Sequence, residues 1–333
     1  MKQSENNDLG TVSIAIVIPV LDDWKSLSLL LPILDKYLSD KRLIVEIIVV
    51  DDGSSVSFEE ASPPLPLKLV HINKVSVLEL KRNMGHQRAI TLGLAFVAAE
   101  RDCDAALVMD GDGEDDPKDV VRLIDECERE NFTKMIFARR SKRSENLIFR
   151  IFYELYKLFY KILTGRTIRF GNFSIVPDKI LRRLIVVSEV WNHYAVGALK
   201  ARVPYREINT SRSHRLSDSS KMNFVSLVTH GLSAISVYGD LAGVRLLLGT
   251  CGLILLSVVG ILTVVVVRLV TDLAIPGWAT YVVALLLIIL MQAVTLSLFF
   301  IFLVLNNRNN ASFLPERDYS YFISREHEIF VKK

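Results

Sequence analysis

The chain has 333 residues, of which half are hydrophobic, and its formal net charge is +3. A charge so close to zero excludes bulk electrostatic binding to nucleic acid, which needs a strongly basic surface. The length allows about two domains, and the three scattered cysteines fit neither a disulfide framework nor a zinc site. The apolar excess lies mainly after residue 246, so a polar first part and a membrane-associated second part are predicted.

The polar part begins with alternating strands and helices. Residues 12–20 are mostly β-branched and apolar, 26–38 have helical spacing, and 42–50 form a second apolar run. Strand, helix and strand in this order predict a right-handed crossover and a parallel sheet. The second strand leads directly into Asp51 and Asp52. Because carboxylates and glycine are favoured in turns anyway, an ordinary turn at this point stays open beside a binding role.

A third strand is predicted over 75–80, and a helix over 89–99. The stretch RNMGHQ lies between them, where Gly85 allows a tight turn of the backbone. Amide groups at the start of a helix favour anions. His86 is therefore interpreted either as a phosphate contact or as a polar residue at the helix start.

The central strand, 105–109, leads into a run of acidic residues. Asp110 and Asp112 alternate in an extended segment, so both side chains can face one ion. In open α/β sheets, ligands bind beyond the carboxyl ends of the strands. Two carboxylates with no neighbouring His or Cys suit Mg²⁺ or Mn²⁺, although a solvated acidic turn has the same residues. The next helix is predicted from Pro117 to about Glu130.

Cationic residues follow a strand predicted over 134–138, and Arg139 and Arg140 come first among them. In this topology they lie near the acidic residues that follow the central strand. They either neutralise a bound diphosphate or balance the carboxylates.

The second part of the chain has the composition of a membrane anchor. Residues 146–163 carry aromatic and aliphatic side chains at helical spacing with interleaved Lys and Arg, which predicts an interfacial helix. An amphipathic helix packed on the sheet is the alternative. Residues 221–240 are predicted as a juxtamembrane helix, and 246–267 and 279–305 as a hairpin of two membrane spans.

Positive charges flank the two spans unequally. The connection between the spans carries only Arg268, whereas Arg245 precedes the first span and five Lys or Arg residues follow the second. The positive-inside rule then places the polar first part and both termini in the cytosol. The polar residues 1–10 predict no signal peptide. The tail, 306–333, has no assigned role, although Phe322 and Phe330 are among the residues that can pack back on the soluble part.

Four motifs occur in the order seen in family 2 glycosyltransferases: VIPV at 17–20, VVDDGS at 49–54, RNMGHQ at 82–87 and DGDGEDDP at 110–117. The chain most resembles the polyprenyl-phosphate branch of that family, which includes dolichyl-phosphate mannose synthase and bactoprenol glucosyltransferases. The resemblance covers most of residues 12–221. It implies a GT-A fold, which is α/β and Rossmann-like with a mostly parallel sheet, over residues 1–220, and a nucleotide-diphosphate sugar as the donor.

The resemblance also implies roles for individual residues. Asp51 and Asp52 would hold the base and ribose, Arg140 would contact the donor, and the stretch RLSDSSK at 215–221 would close on the diphosphate. The implied nucleotide-sugar contacts are Pro19, Leu21, Asp23, Asp51, Asp52, Asp110, Gly111, Asp112, Arg140, Arg215, Ser220 and Lys221. The implied metal ligands are Asp110, Asp112 and Glu114, and the implied catalytic residues are Asp112, Arg215 and Lys221.

Asn172 occupies a position where some bactoprenol glucosyltransferases have an Asp that is proposed as a base. An amide cannot take a proton. A phosphate monoester needs no base, however, because its second pKa is about 6 and it is already an anion at neutral pH. The protein then has to position the reactants and stabilise charge.

The predicted function is therefore an inverting, metal-dependent hexosyltransferase of the bacterial inner membrane. It would move a sugar from a nucleotide-sugar to polyprenyl phosphate and give a polyprenyl-monophospho-sugar. Transfer to another lipid and a non-catalytic scaffold for glycan assembly are the alternatives. A processive polysaccharide synthase is disfavoured, because its Gln-x-x-Arg-Trp motif is missing. Some relatives form tetramers, so a homo-oligomer is also considered.

Overall fold

The computed structural model describes residues 11–40, 42–60, 68–140, 147–167, 170–211, 213–217, 224–271, 277–309 and 313–332. The chain divides into two compact units. The first contains Met1–Glu145, Ile168–Val237 and Ser312–Lys333, and the second contains Asn146–Thr167 and Tyr238–Ala311. We call them the catalytic unit and the helical unit.

The catalytic unit is built on one sheet. Its strands are β1 Val12–Val20, β2 Leu43–Asp51, β3 Lys74–Leu80, β4 Ala105–Val108, β5 Met135–Arg140, β6 Ser174–Pro177, β7 Tyr205–Thr210 and β8 Ile323–Val331. They lie in the order β7-β5-β6-β4-β1-β2-β3-β8. The strands β4, β1, β2 and β3 are parallel, as are β5 and β7. The inserted β6 and the edge strand β8 are antiparallel to their neighbours. The predicted mostly parallel α/β architecture is confirmed.

The helices are, in chain order, α1 Trp24–Tyr37, α2 His86–Glu100, α3 Pro117–Arg129, α4 Leu147–Thr164, α5 Asp178–Leu184, α6 Tyr194–Lys200, α7 Phe224–Ser236, α8 Gly239–Val270, α9 Trp278–Asn309 and α10 Pro315–Asp318. Only α4, α8 and α9 belong to the helical unit.

The sheet is covered on both faces, which explains why its central strands are continuous apolar runs. On one face, Ile16 and its neighbours pack with α1 and α3. On the other face, Val17 packs with α2. A Cβ at Gly93 of α2 would lie 2.6 Å from Val17 Cγ1, so glycine lets this helix approach the sheet closely. Packing on both faces fixes the strand ends that carry the site.

The C-terminal residues form part of the sheet. The sequence analysis assigns no role to residues 306–333. In the structure these residues include β8, which pairs antiparallel with β3. Ile329 and Phe330 pack against the core on one face of the sheet, and Phe322 and Ile323 pack against the core on the other. The strand is polar between these residues because it lies at an edge. There its charged side chains form ion pairs, such as Glu328 with Lys74 at 2.5 Å.

The helical unit contains two helices, α8 and α9, that are long and apolar enough to cross a membrane. They run antiparallel as a hairpin, because Thr250 Oγ1 lies 2.7 Å from Ser297 Oγ, while a Cβ at Gly260 would lie 3.1 Å from Leu286. The predicted spans, 246–267 and 279–305, lie within them. The predicted interfacial helix corresponds to α4. The predicted juxtamembrane helix, 221–240, corresponds in part to α7, which lies in the catalytic unit.

Candidate active site

The carboxyl ends of β1, β2 and β4 lie side by side at one edge of the sheet. Val20 at the end of β1 is aligned with Asp51 at the end of β2. Met109, which follows β4, donates its amide to Val17 O at 3.2 Å. The loops that leave these strands therefore emerge together, and they carry most of the residues that the sequence predicts for the site. Pro19 is buried within β1, and Leu21 is 42% exposed just after it.

The loops after β1 and β2 are tied together by Asp22, which has a left-handed backbone with φ of 50°. Its amide donates to Ser54 Oγ at 2.9 Å, and its carboxylate accepts from the Ser55 amide at 2.6 Å. Asp51 accepts from the Ser54 amide at 2.9 Å. Burial raises the pKa of Asp51 above its ordinary value in spite of the hydrogen bonds from Ser54.

Asp52 is used to hold the neighbouring loop. Its two carboxylate oxygens accept from the amides of Met84 at 2.6 Å and Gly85 at 2.9 Å. Gly53 has φ of +75°, and a Cβ there would lie 2.6 Å from the backbone N of Asn83. The sequence predicted that Asp52 holds the base or ribose of a nucleotide. In the structure both of its oxygens help to fix the start of α2, and its contact with the nucleotide stays a prediction.

The acidic loop after β4 is shaped by its own backbone contacts. The Asp110 amide donates to Asp115 Oδ2, and the Glu114 amide donates to Asp112 Oδ1, each at 2.9 Å. Asp116 accepts from the Lys118 amide and caps α3, with Pro117 as the first helical residue, as predicted. The loop is thus a fixed turn that presents Asp110 and Asp112.

Arg215 joins two predicted parts of the site. Its Nη2 lies 3.1 Å from Asp112 Oδ2 and 3.9 Å from Asp23 Oδ2. The backbone of the same segment also docks on the acidic loop, because the Leu216 amide donates to Asp112 O at 3.0 Å. Burial and then the charge of Asp110 raise the pKa of Asp112, whereas the charge of Arg215 acts in the opposite direction. These carboxylates repel one another and attract cations.

His86 lies beside the acidic loop, although it was not among the implied site residues. Its Nε2 is 3.2 Å from Asp110 Oδ1 and 3.2 Å from Asn172 Nδ2. Burial by itself would lower the pKa of His86, but the neighbouring carboxylates, Asp110 above all, raise it above its ordinary value. The sequence left His86 open between two roles, and the structure brings it into the site.

The side chains of the acidic loop suit a cation that is bound by protein and substrate together. They suit a cation that is bound by protein side chains alone less well. Among the described residues, no three His, Cys, Asp or Glu side chains form a group that would hold a metal. The assignment of Glu114 as a third ligand, which the resemblance implies, stays a prediction. Asp110 and Asp112 offer hard oxygen ligands, and Mg²⁺ is typically bound by one or two carboxylates together with substrate phosphates.

The remaining predicted residues are less fully described. Gly111 packs against the end of β1, where an added Cβ would lie 3.2 Å from Ile18 Cγ2. Arg140 ends β5, and its backbone is aligned with Thr210 of β7. Ser220 and Lys221 lie outside the described residues.

The residues 15–191 match the model of a protein family, Glycosyl transferase family 2. The match is longer than half of the chain and includes the carboxyl ends of β1, β2, β4 and β5. The chain belongs to glycosyl transferase family 2. The predicted family is confirmed, and the protein is a glycosyltransferase.

The relatives of this family 2 glycosyltransferase include proteins described as uncharacterised and proteins named for a particular sugar transfer. The uncharacterised glycosyltransferase YkcC of Bacillus subtilis is 24% identical over 82% of this chain and 82% of its own length. An undecaprenyl-phosphate 4-deoxy-4-formamido-L-arabinose transferase of Proteus mirabilis is 26% identical over 52% of this chain and 50% of its own. Among solved structures, the glucosyl-3-phosphoglycerate synthase of Mycobacterium tuberculosis matches with a TM-score of 0.45 and 16% identity. That match covers 71% of this chain and 81% of the synthase.

The sequence analysis of the glycosyltransferase did not predict a buried hydrogen-bond network that connects the residues next to His86. The Tyr194 amide donates to Gln87 Oε1 at 2.8 Å, and the Tyr194 hydroxyl lies 2.8 Å from Ser174 Oγ. Ser174 Oγ in turn donates to the backbone carbonyl of Asn172 at 2.9 Å. No local sequence pattern indicates this network, because its residues belong to α2, β6 and α6, which are distant from one another in the sequence.

Proposed function

We propose that this glycosyltransferase moves a hexose from a nucleotide-diphosphate sugar to a polyprenyl phosphate. The observation that carries the proposal is the combination, in one chain, of a family 2 catalytic unit and two helices with the length and composition of membrane spans. A polar donor and an acceptor with a lipid tail are the two substrates that such a chain suits. The named polyprenyl-phosphate transferases among its relatives support the same acceptor.

The donor would lie across the ends of β1, β2 and β4. We assign Asp51 to the base and ribose, and Arg215, Arg140 and Lys221 to the diphosphate. When bound on Asp110 and Asp112, Mg²⁺ or Mn²⁺ would supply charge neutralisation for the diphosphate. Asp23 and Asp112 orient the guanidinium of Arg215 from two sides, so that it is ready to pair with departing phosphate oxygens.

The reaction is a single displacement at the anomeric carbon. An oxygen of the acceptor phosphate dianion forms a bond to that carbon, and the bond from the carbon to the nucleoside diphosphate breaks. The bonding electron pair leaves with the diphosphate, which gains one negative charge while the acceptor phosphate loses one. No proton has to move, because the attacking phosphate is already ionised. Attack on the face opposite to the leaving group gives inversion.

The helical unit offers surfaces that suit a bilayer. Leu155, Leu158, Phe159 and Ile162 form one face of α4, and their side chains are all more than half exposed. An exposed apolar face next to Lys residues is typical of helices that lie at a membrane surface. Arg245 near the start of α8 donates to the carbonyl of Ile162 at 2.7 Å, which ties α4 to that end of the hairpin. We place both termini in the cytosol of a bacterial inner membrane.

A donor screen tests the proposal. Membranes that contain the chain are incubated with undecaprenyl phosphate, Mg²⁺ or Mn²⁺ and a panel of nucleotide-sugars, and the extracted lipids are analysed by mass spectrometry. The expected product is a chloroform-soluble glycosyl phosphate that mild acid cleaves. An acid-stable glycolipid would identify a different lipid acceptor. A chain without turnover on any donor would instead act as a scaffold, which contradicts the proposal.

A further inference from the structure

The edge strand β8 reaches the end of the sheet where the donor is proposed to bind. In the pairing of the strands, Asp51 of β2 is aligned with Glu79 of β3, and Glu79 is aligned with Arg325 of β8. These three residues therefore lie in one row across the end of the sheet. The family model matches only as far as residue 191, so β8 lies outside the part of the chain that the model describes.

His327 of β8 is held by its neighbours on the sheet. Its Nε2 lies 3.3 Å from Oε1 of Glu79. Arg325 donates to both oxygens of the same carboxylate, through Nε at 2.8 Å and Nη2 at 3.2 Å, and so fixes the orientation of that carboxylate. The side chain of His327 is only 23% exposed, so most of its ring is packed against other groups.

The ring of His327 packs on the loop that follows β2. Its centroid is 5.3 Å from the centroid of the Phe58 ring, and the two rings are tilted by 59°. On its other side, Phe58 contacts Trp24 of α1 edge-on, with 6.2 Å between the ring centroids. Trp24 is buried, and its Nε1 donates to the carbonyl of Val56 at 2.8 Å. The loop after β2 is therefore held between α1 and β8.

The loop held in this way follows directly from a residue that we assign to the nucleotide. Asp51 precedes it, and its carboxylate accepts from the Ser54 amide. Ser54 and Ser55 join the loop to Asp22, which follows β1. A loop that is ordered before its ligand arrives avoids the entropy loss of being ordered on binding. The contacts of residues 54–58 thus prepare this side of the donor site.

We propose that His327 is a positioning residue for the nucleotide part of the donor. Through Phe58 it holds the loop after β2 in the conformation that binds the nucleotide. Because His327 acts through the loop and contacts neither reacting group, its loss should weaken donor binding and leave the rate at saturating donor unchanged. This inference rests on the proposed function and extends the donor site to β8.

Titration calorimetry of the full chain in detergent with Mg²⁺ tests this role. The probes are UDP, GDP, CDP and ADP, and the diphosphate that the wild-type chain binds most tightly is used for the variants. His327→Ala should raise the Kd of that diphosphate by about tenfold, the size expected when a loop has to be ordered on binding. His327→Phe should restore most of the affinity, because an aromatic ring again packs on Phe58.

Glu328→Gln is the matched control. Glu328 lies on the same strand as His327, but it pairs with Lys74 at the opposite end of β3. Its loss removes an ion pair between β8 and β3 without changing the contacts of Phe58, so the Kd should stay at the wild-type value. Equal weakening by Glu328→Gln and His327→Ala would assign the effect to the general docking of β8 and would overturn the positioning role.

Hydrogen exchange and steady-state kinetics distinguish positioning from a general loss of stability. In the free chain, His327→Ala should speed amide exchange in residues 54–58 and leave the exchange of α3 unchanged. With the sugar donor that the screen identifies, KM should rise and kcat should not change.

Two results would overturn the positioning role and leave the proposed function intact. One is a wild-type Kd in His327→Ala, and the other is exchange that rises equally throughout the catalytic unit of that variant. Failure of the wild-type chain to bind any of the four diphosphates would overturn both the positioning role and the proposed function.

Discussion

Nη2 of Arg215 lies 3.1 Å from Oδ2 of Asp112, the central carboxylate of the acidic loop. The same guanidinium faces Asp23 at 3.9 Å, so it connects the segment after β7 with the loops after β4 and β1. The Ser213 amide adds a hydrogen bond to the carbonyl of Glu114 at 3.0 Å. The guanidinium of Arg215 therefore pairs with Asp112, the carboxylate that is proposed to bind a metal ion together with the donor.

Arg215→Ala should lower kcat for transfer by about a hundredfold, because it removes a preorganised charge from the departing diphosphate. Arg215→Lys should recover part of the rate, since it keeps the charge but loses the planar fork. Initial rates with purified enzyme measure both effects. Arg206→Ala is the control, because Arg206 pairs with Glu130 and Glu126 on the exposed end of α3. A normal rate in Arg215→Ala would contradict the assigned role.

Asn172→Ala should retain more activity than Asp112→Ala. The first change removes one neutral amide beside His86, whereas the second removes a carboxylate that also anchors Arg215. We expect losses of about tenfold and more than about a hundredfold, respectively. Rates at saturating donor and acceptor compare the two variants. Equal losses would contradict this ranking, because the neutral amide of Asn172 would then contribute as much to transfer as the carboxylate of Asp112.

Asp52→Ala should lower stability rather than only donor affinity. Its carboxylate accepts from the amides of Met84 and Gly85, and removing it leaves these groups unpaired. We expect a loss of about 1–3 kcal/mol in the free energy of unfolding. Thermal unfolding in detergent measures the change. Asp51→Asn is the comparison and should mainly weaken nucleotide binding. A wild-type Tm for Asp52→Ala would argue for a role in binding instead.

Ile329→Ala should destabilise the catalytic unit, because Ile329 packs against the core from the edge strand β8. The side chain is only partly buried, so we expect about 1 kcal/mol. Val331→Ala, at a side chain that is 54% exposed, should stay within about 0.5 kcal/mol of wild type. Denaturant midpoints of the full chain distinguish the two. Equal midpoints for both variants would mean that β8 contributes little to the core.

The sequence predicted the elements whose apolar runs are long and local. The strands β1, β2 and β4 lie within about one residue of their predicted bounds, because buried parallel strands exclude polar residues. The same exclusion of polar residues predicts that β4 ends before Asp110, so that the segment from Asp110 to Pro117 forms a loop at the strand end. These predictions needed no contact between distant parts of the chain.

Long-range contacts account for what the sequence did not predict. The strand β8 is polar from Ser324 to Glu328, so its local pattern does not indicate a buried strand. It is ordered by pairing with β3, where Lys74 and Glu79 form ion pairs with Glu328 and Arg325. The use of Asp52 depends on the backbone of a loop some thirty residues away. The contact between His86 and Asn172 spans 86 residues. Such pairings are set by the folded sheet, and no local spacing encodes them.

The central claim is that the carboxylates Asp110 and Asp112 act with a divalent cation in transferring a sugar to a lipid phosphate. The most direct measurement is the initial rate of lipid-linked sugar formation by the purified chain in Mn²⁺ or Mg²⁺, then in excess chelator, then with the metal restored. Our account predicts that the rate falls to background in chelator and recovers when the metal returns. Full turnover in excess chelator would contradict it.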